Sequence, residues 1–422
     1  MVAFTPIIKR IIGINLLVLL ILNLPAQNTI SIQKALQLAK LNNPNLKVAY
    51  FNMAIIQADI ITAKLRPNPT LNNQTLQLMQ PSLFPANSSW NNAQNRLVWW
   101  QLTKSFQIAG QRKNKITLAQ SNSSLAQKNY NETERNVYLD VANKWVEVWA
   151  IQRQLTIIET AKANIDSLIV ISRLRLKNQV ITQTDLMRTE LLGKQYGIQL
   201  KSTGLELKAK IKELKLLLGI DYSFEIDTAS IFNYNNVLAE DSLIKQSLTS
   251  RSDIETSKLL MEVSESNIKL QKSLAYPQPE LGLIWNPQNT VPYFGVFATV
   301  DLPFFNRNQG EISKASVLKQ QAQMEFNMVQ QKIKTEISNA YNYYVLQQQN
   351  VQTYKEVLAQ SQMVLDNVKY AYLKGGTTII DFLEAQRSWL ETQQQYYNAE
   401  QLYKQSYVQL LYTSGLINQM AQ

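Results

Sequence analysis

The sequence predicts a mainly α-helical chain that also supplies four strands to a β-barrel in a membrane. Three observations lead there: helical runs too long for a compact domain, two pairs of short strands of alternating polarity, and a repeat of the whole arrangement in the second half.

The clearest run lies between Glu311 and Lys374, which contains neither Gly nor Pro. Ile333, Ile337, Ala340, Tyr344, Val351, Tyr354, Leu358, Leu365, Val368 and Tyr372 follow steps of four and three. That spacing keeps one seam of a helix against a neighbour by left-handed supercoiling. At about 1.5 Å per residue the helix is roughly 95 Å long. It stops at Lys374-Gly375-Gly376-Thr377-Thr378, where glycine permits left-handed backbone and a hydroxyl can cap the next helix. A second breaker-free run, Ile379 to Ser414, returns, so the pair is a long helical hairpin with its tip near Gly375 and Gly376.

Composition narrows the chemistry. The 422 residues include no Cys and no His, which excludes disulfides, thiolate catalysis, and zinc or copper sites built on thiolate or imidazole. Net charge is +11, but the basic residues are dispersed and form no nucleic-acid-binding cluster. Glu132 with Glu134, and Asp381 with Glu384, read as solvated helix charges, and no catalytic constellation is present. At the N-terminus, Lys9 and Arg10 precede a short apolar run, Ile11 to Leu24, then Pro25-Ala26. Residues 1–26 therefore read as a cleavable secretory signal, and a chain without cysteine carries no N-terminal lipid.

Taken in order, residues 27–236 form a first structural repeat. A helix begins at a capping Ser31, carries Ile32, Ala35, Leu36 and Ala39 on one side, breaks near Pro44 and ends at Arg66-Pro67-Asn68-Pro69. Two strands follow, 70–80 and 96–108; in the second, Val98, Trp100 and Leu102 alternate with Gln101 and Thr103. Gly110 turns the chain into a long helix, 112–176, and a return helix spans 182–218 before an irregular linker. Residues 237–422 repeat the plan: one helix to Leu274, strands 280–285 and 293–302, a turn at Gly310, a long helix 311–374 and a return helix 378–414. The tips correspond as well, with Leu176 to Gln179 ahead of Asp185-Leu186 matching Leu373 to Gly376 ahead of Asp381-Phe382.

Four amphipathic strands cannot close a membrane barrel, because the smallest have about eight. An open sheet in lipid leaves backbone groups unpaired at several kcal/mol each. Either the sheet is soluble or other copies complete it, and three copies give about twelve strands. Trp99, Trp100, Trp285, Tyr293 and Phe294, near the strand ends, suit an aromatic belt at a membrane interface.

Four stretches resemble the TolC family of outer-membrane efflux channels, over nearly the whole chain. They are Ser31 to Ala39 with Asn43-Pro44, Leu65 to Pro69 with Phe106 to Arg112, Leu302 to Glu311, and Tyr372 to Gln386. The second and third are similar to the heavy-metal/RND efflux branch. The resemblance implies a homotrimer in the outer membrane of a Gram-negative bacterium: a twelve-stranded barrel, four strands per chain, continued by a long periplasmic α-helical tunnel. It implies no cofactor and no bound metal, and as partners a periplasmic adaptor and an inner-membrane RND-type pump whose substrates pass through passively. It also implies a periplasmic gate at the second tip, with Asp381 and Glu384 as an acidic ring, Tyr372 as its aromatic, and Thr377 where some relatives carry a basic latch. A secreted coiled-coil adhesin or periplasmic scaffold remains the alternative; it explains the heptads but not the two strand pairs.

Overall fold

The structure is a computed structural model that describes residues 29–228, 238–288 and 291–421. The expected signal, residues 1–26, the end of the linker and the turn at Asn289 and Thr290 lie outside the described residues. The chain divides into two compact units. One is formed by parts of 29–44, 135–240 and 337–421, the other by 45–134 and 241–336.

The elements in order are β1 (Thr29–Ile30), α1 (Ile32–Asn42), α2 (Pro44–Lys64), β2 (Thr70–Gln77), β3 (Arg96–Ser105), α3 (Gln111–Lys177) and α4 (Gln183–Leu218). The second half contains β4 (Glu225–Ile226), α5 (Glu240–Ser250), α6 (Ser252–Leu274), β5 (Glu280–Gln288), β6 (Val291–Thr299), α7 (Gln309–Lys374) and α8 (Ile379–Thr413). Strands β2 and β3 are thus shorter at their C-terminal ends than the alternation suggests.

In the first unit, Ser31 caps α1 by accepting a bond from the Lys34 amide, and Ile32, Ala35, Leu36 and Ala39 form its buried face. The Asn43 side chain, in the break before Pro44, donates to the Leu217 carbonyl at 2.7 Å. That draws the end of α1 to the end of α4, where Gly219 sits at φ +65. A Cβ there would lie 2.4 Å from the Asn42 carbonyl oxygen, so the close approach and the left-handed backbone both require glycine. The linker is not wholly irregular: β4 pairs in parallel with β1, and the buried Trp145 indole donates to Ile30 at 3.0 Å.

The second unit holds the four-stranded antiparallel sheet, ordered β2-β3-β5-β6. Its last hairpin is longer than expected, because Pro287 lies in β5 opposite Pro292 of β6 rather than in a turn. Neither proline has an N-H to give, and the pairing of β5 with β3 has already ended at Trp285. Helix α6 is tied to α3 by Lys128-Glu255 and by the Asn114 amide on the Lys269 carbonyl, and to α7 by Lys319-Glu265.

Two expectations need correction here. The helix expected to run unbroken from 237 to 274 is two helices, because Arg251 adopts an extended ψ of 137° between α5 and α6. Its guanidinium is buried and paired with Asp253 at 2.6 Å and Glu336 at 2.9 Å, and this anchor fixes the break without Gly or Pro. The second strand-to-helix turn is not at Gly310, which lies inside α7. The left-handed residue is Asn308, φ 57, the counterpart of Gly110, φ 76. Asparagine tolerates this conformation better than other side-chain-bearing residues. The following glutamine confirms the register: Gln111 accepts from the Ala109 amide, and Gln309 accepts from the Arg307 amide.

Candidate functional site

The sheet separates polarity by face. Leu71, Leu102, Leu283 and Val296 stand opposite one another in a row across all four strands. The neighbouring row, Asn72, Gln101, Ile284 and Gly295, points the other way. The next row on the leucine face, Asn73, Trp100, Trp285 and Phe294, brings the two tryptophans directly opposite each other. All the apolar side chains of these two same-face rows are exposed. Tyr293 and Trp99 belong to the more polar face, Tyr293 opposite Asn286 and Trp99 opposite Gln74. On that face the Phe297 ring covers Gly282; a Cβ on Gly282 would lie 2.3 Å from the ring carbon Cζ. Among the described residues, the outer sides of β2 and β6 have no strand partner.

The helix tips, in the first unit, are two versions of one structure. At the first, the Thr182 hydroxyl accepts from the Asp185 amide at 3.2 Å, and the Asp185 carboxylate accepts from the Thr182 amide at 3.1 Å. At the second, Thr378 and Asp381 repeat both bonds at the same two distances. These are reciprocal caps, in which each side chain satisfies a backbone donor that the helix leaves free. The backbone before them matches too: Gln179 bonds Leu176 and Val180 bonds Arg175, as Gly375 bonds Tyr372 and Gly376 bonds Ala371. The left-handed position is Gln179, φ 58, in one and Gly375, φ 79, in the other; Gly376 has no positive φ.

Each gate residue suggested by resemblance therefore has a defined place. Asp381 also accepts from the Thr377 hydroxyl at 2.7 Å, so Thr377 serves the cap. Bonds from the Thr378 hydroxyl, the Thr377 hydroxyl and the Thr378 amide hold the Asp381 carboxyl below the usual aspartate range. Glu384 is exposed, three residues on, with Arg387 at 4.0 Å. Tyr372 is buried, and its hydroxyl has no hydrogen-bond partner among the described residues. Its ring stacks on Phe382 with centroids 5.4 Å apart, and the Arg175 guanidinium carbon lies 4.7 Å from its centre.

The hydroxyl cap expected within Thr377-Thr378 is that of Thr378, whereas sequence reasoning overlooked Arg175 and the matching cap at Thr182. The T-x-x-D spacing at both tips signals the caps; nothing local signals Arg175, which meets Tyr372 only through the fold. It also overlooked Arg188, which occupies in the first tip the helix position that Glu384 holds in the second. Among the described residues, no helix is long and apolar enough to cross a membrane, and no cluster of acidic or other ligand residues could hold a metal ion.

Residues 243–416 match the family described as outer membrane efflux protein. The fold is similar to that of CusC, at TM-score 0.76 and 18% identity over 91% of this chain and 92% of that one. It is also similar to the outer membrane channel CmeC of Campylobacter jejuni (TM-score 0.74, 15% identity, 91% and 85% covered). A third similar structure is the outer membrane protein VceC of Vibrio cholerae (TM-score 0.71, 15% identity, 91% and 96% covered). No curated protein sequence matches the chain. Long helical hairpins together with an amphipathic four-stranded sheet are the fold that this chain shares with these outer-membrane proteins. The family match falls in the second half of the chain, while the likeness of fold extends over 91% of it.

Proposed function

We propose that three copies of this chain form one channel, each giving four strands to a twelve-stranded barrel and two helical hairpins to a periplasmic tunnel. The carrying observation is the sheet: one exposed apolar face, one more polar face, and two outer edges without strand partners among the described residues. Lipid suits the first face and a water-filled lumen the second, while unpaired edges in hydrocarbon cost several kcal/mol per group. Copies joined edge to edge remove that cost. The repeated tip geometry supports the reading of the chain as a tandem duplication.

Channels of this family work with a periplasmic adaptor and an inner-membrane pump. For this chain we assign an RND-type pump, and the turn at Leu302 to Glu311 supports a place beside the heavy-metal/RND branch. The absence of cysteine supports an unlipidated chain. Asp381 and Glu384 face the tunnel mouth in this reading, Glu384 as the freer charge because Asp381 is engaged in its cap. Trp100, Trp285 and Phe294 meet lipid at the interface.

Light scattering of the protein in mild detergent is expected to give about three times the 48.3 kDa of one chain, less the signal. Planar bilayers are expected to show discrete conductance. Monomers without ion flux would refute the proposal.

A further inference from the structure

The two repeats bury equivalent surfaces to different extents, and the difference shows where another copy belongs. The constant offset between the tips persists along the return helices. Leu186, Thr189, Gly193 and Tyr196 are buried on α4, and their counterparts Phe382, Ala385, Trp389 and Thr392 are buried on α8. Spaced three and four apart, this shared seam faces the long helix of the same hairpin.

Beside it the repeats diverge. On α3, Ala161 and Leu168 are buried, whereas their counterparts Val357 and Val364 on α7 are exposed; Leu168 is 4% accessible and Val364 55%. On the return helices the inequality reverses. Leu383 and Leu390 of α8 are buried, whereas Met187 and Lys194 of α4 are exposed; Leu383 is 5% accessible and Met187 60%.

Ala161, Leu168, Leu383 and Leu390 all belong to one hydrophobic cluster. The first hairpin thus covers the second through these two surfaces, one on its long helix and one on the other's return helix. The same two surfaces, exchanged between repeats, are the bare ones: Val357 and Val364 on α7, Met187 and Lys194 on α4.

We infer that these bare surfaces are the contact between neighbouring copies. Val357 and Val364 of one copy pack on Met187 and the aliphatic stem of Lys194 of the next, reproducing between chains the contact made between repeats. The two patches differ, so the contact is head-to-tail and closes as a ring rather than as a two-fold pair. This inference rests on the trimer reading and adds which side chains meet.

The chain has no cysteine, so introduced thiols report only on themselves. Val364→Cys and Lys194→Cys are the informative positions, being exposed counterparts of Leu168 and Leu390. Combined in one chain and oxidised in membranes, they are expected to convert most of the protein to covalent trimers on denaturing gels. Made as two separately tagged single variants in one cell, they are expected to give a mixed covalent dimer, with neither variant linking to itself. Trimers by light scattering that form only intramolecular or same-site links would overturn the assignment while leaving the trimer intact. Cross-linking of Val364→Cys to a co-purifying protein would overturn it equally, by giving that face to another partner. Monomers by light scattering would instead remove the trimer reading beneath it.

Discussion

Arg175 from the first hairpin stands over the ring of Tyr372 from the second, with guanidinium carbon and ring centre 4.7 Å apart. The same guanidinium approaches the Leu373 carbonyl at 3.4 Å. The tie has no twin, because the counterpart of Arg175 is Ala371 and that of Tyr372 is Leu176.

Arg175→Ala is expected to loosen this tip. A cation resting on an aromatic face contributes about 0.5–2 kcal/mol, so if the tip is the gate of the proposed channel the ratio of open to closed channels is expected to rise roughly 2- to 30-fold. Single-channel recording measures it. Tyr372→Phe is expected to leave gating unchanged, since the hydroxyl it removes has no hydrogen-bond partner among the described residues. A larger effect from Tyr372→Phe than from Arg175→Ala would reverse the assignment.

The cap of α8 is expected to weaken with acid. Because the folded structure holds the Asp381 carboxyl below its ordinary value of 3.8, its contribution to stability is complete above that value. The contribution fades as pH falls through the lower folded value. Thr378→Ala removes the reciprocal bond and is expected to cost about 1 kcal/mol of local helix stability. Amide exchange at the first turn of α8 is the measurement, and unchanged protection in both cases would count against the cap.

Glu384 and Arg188 hold the same helix position in alternate tips. In the proposed trimer three of each sign would stand at the tunnel mouth, and each charge is expected to act on ions of opposite sign. Glu384→Gln is expected to move the reversal potential toward anions, and Arg188→Gln toward cations. Shifts of the same sign would show that the mouth does not alternate.

Gly282 lies beneath the Phe297 ring, leaving no room for a methyl group. Gly282→Ala is expected to cost about 1–3 kcal/mol through the displaced ring. It should also lower the temperature at which trimers dissociate in detergent. Adding Phe297→Leu is expected to recover most of the loss, and failure to recover would place the fault in the backbone.

The long helices and the strand pairs were legible because their signals are local: heptad spacing, alternation, and proline or glycine at the ends. Features fixed by distant partners were not. The break at Arg251 depends on Glu336, from another helix, and β1 depends on β4, nearly half the chain away. Gly310 masks Asn308 in the sequence, because glycine is the commoner left-handed residue. The charge of Asp381 draws attention from its bond to Thr378, although the spacing of three marks the two as halves of a cap. The exposure of Val357 and Met187, with their counterparts buried, emerges only from packing.

The pairing of β1 with β4 bears on the order in which the chain can assemble. Thr29 and Ile30 meet Glu225 and Ile226, so the opening strand has no partner until the whole of the first hairpin has been made. Contacts this remote in sequence are slow to close. Strand β1 must therefore wait for β4, and its docking beside Trp145 signals that the first hairpin has come home.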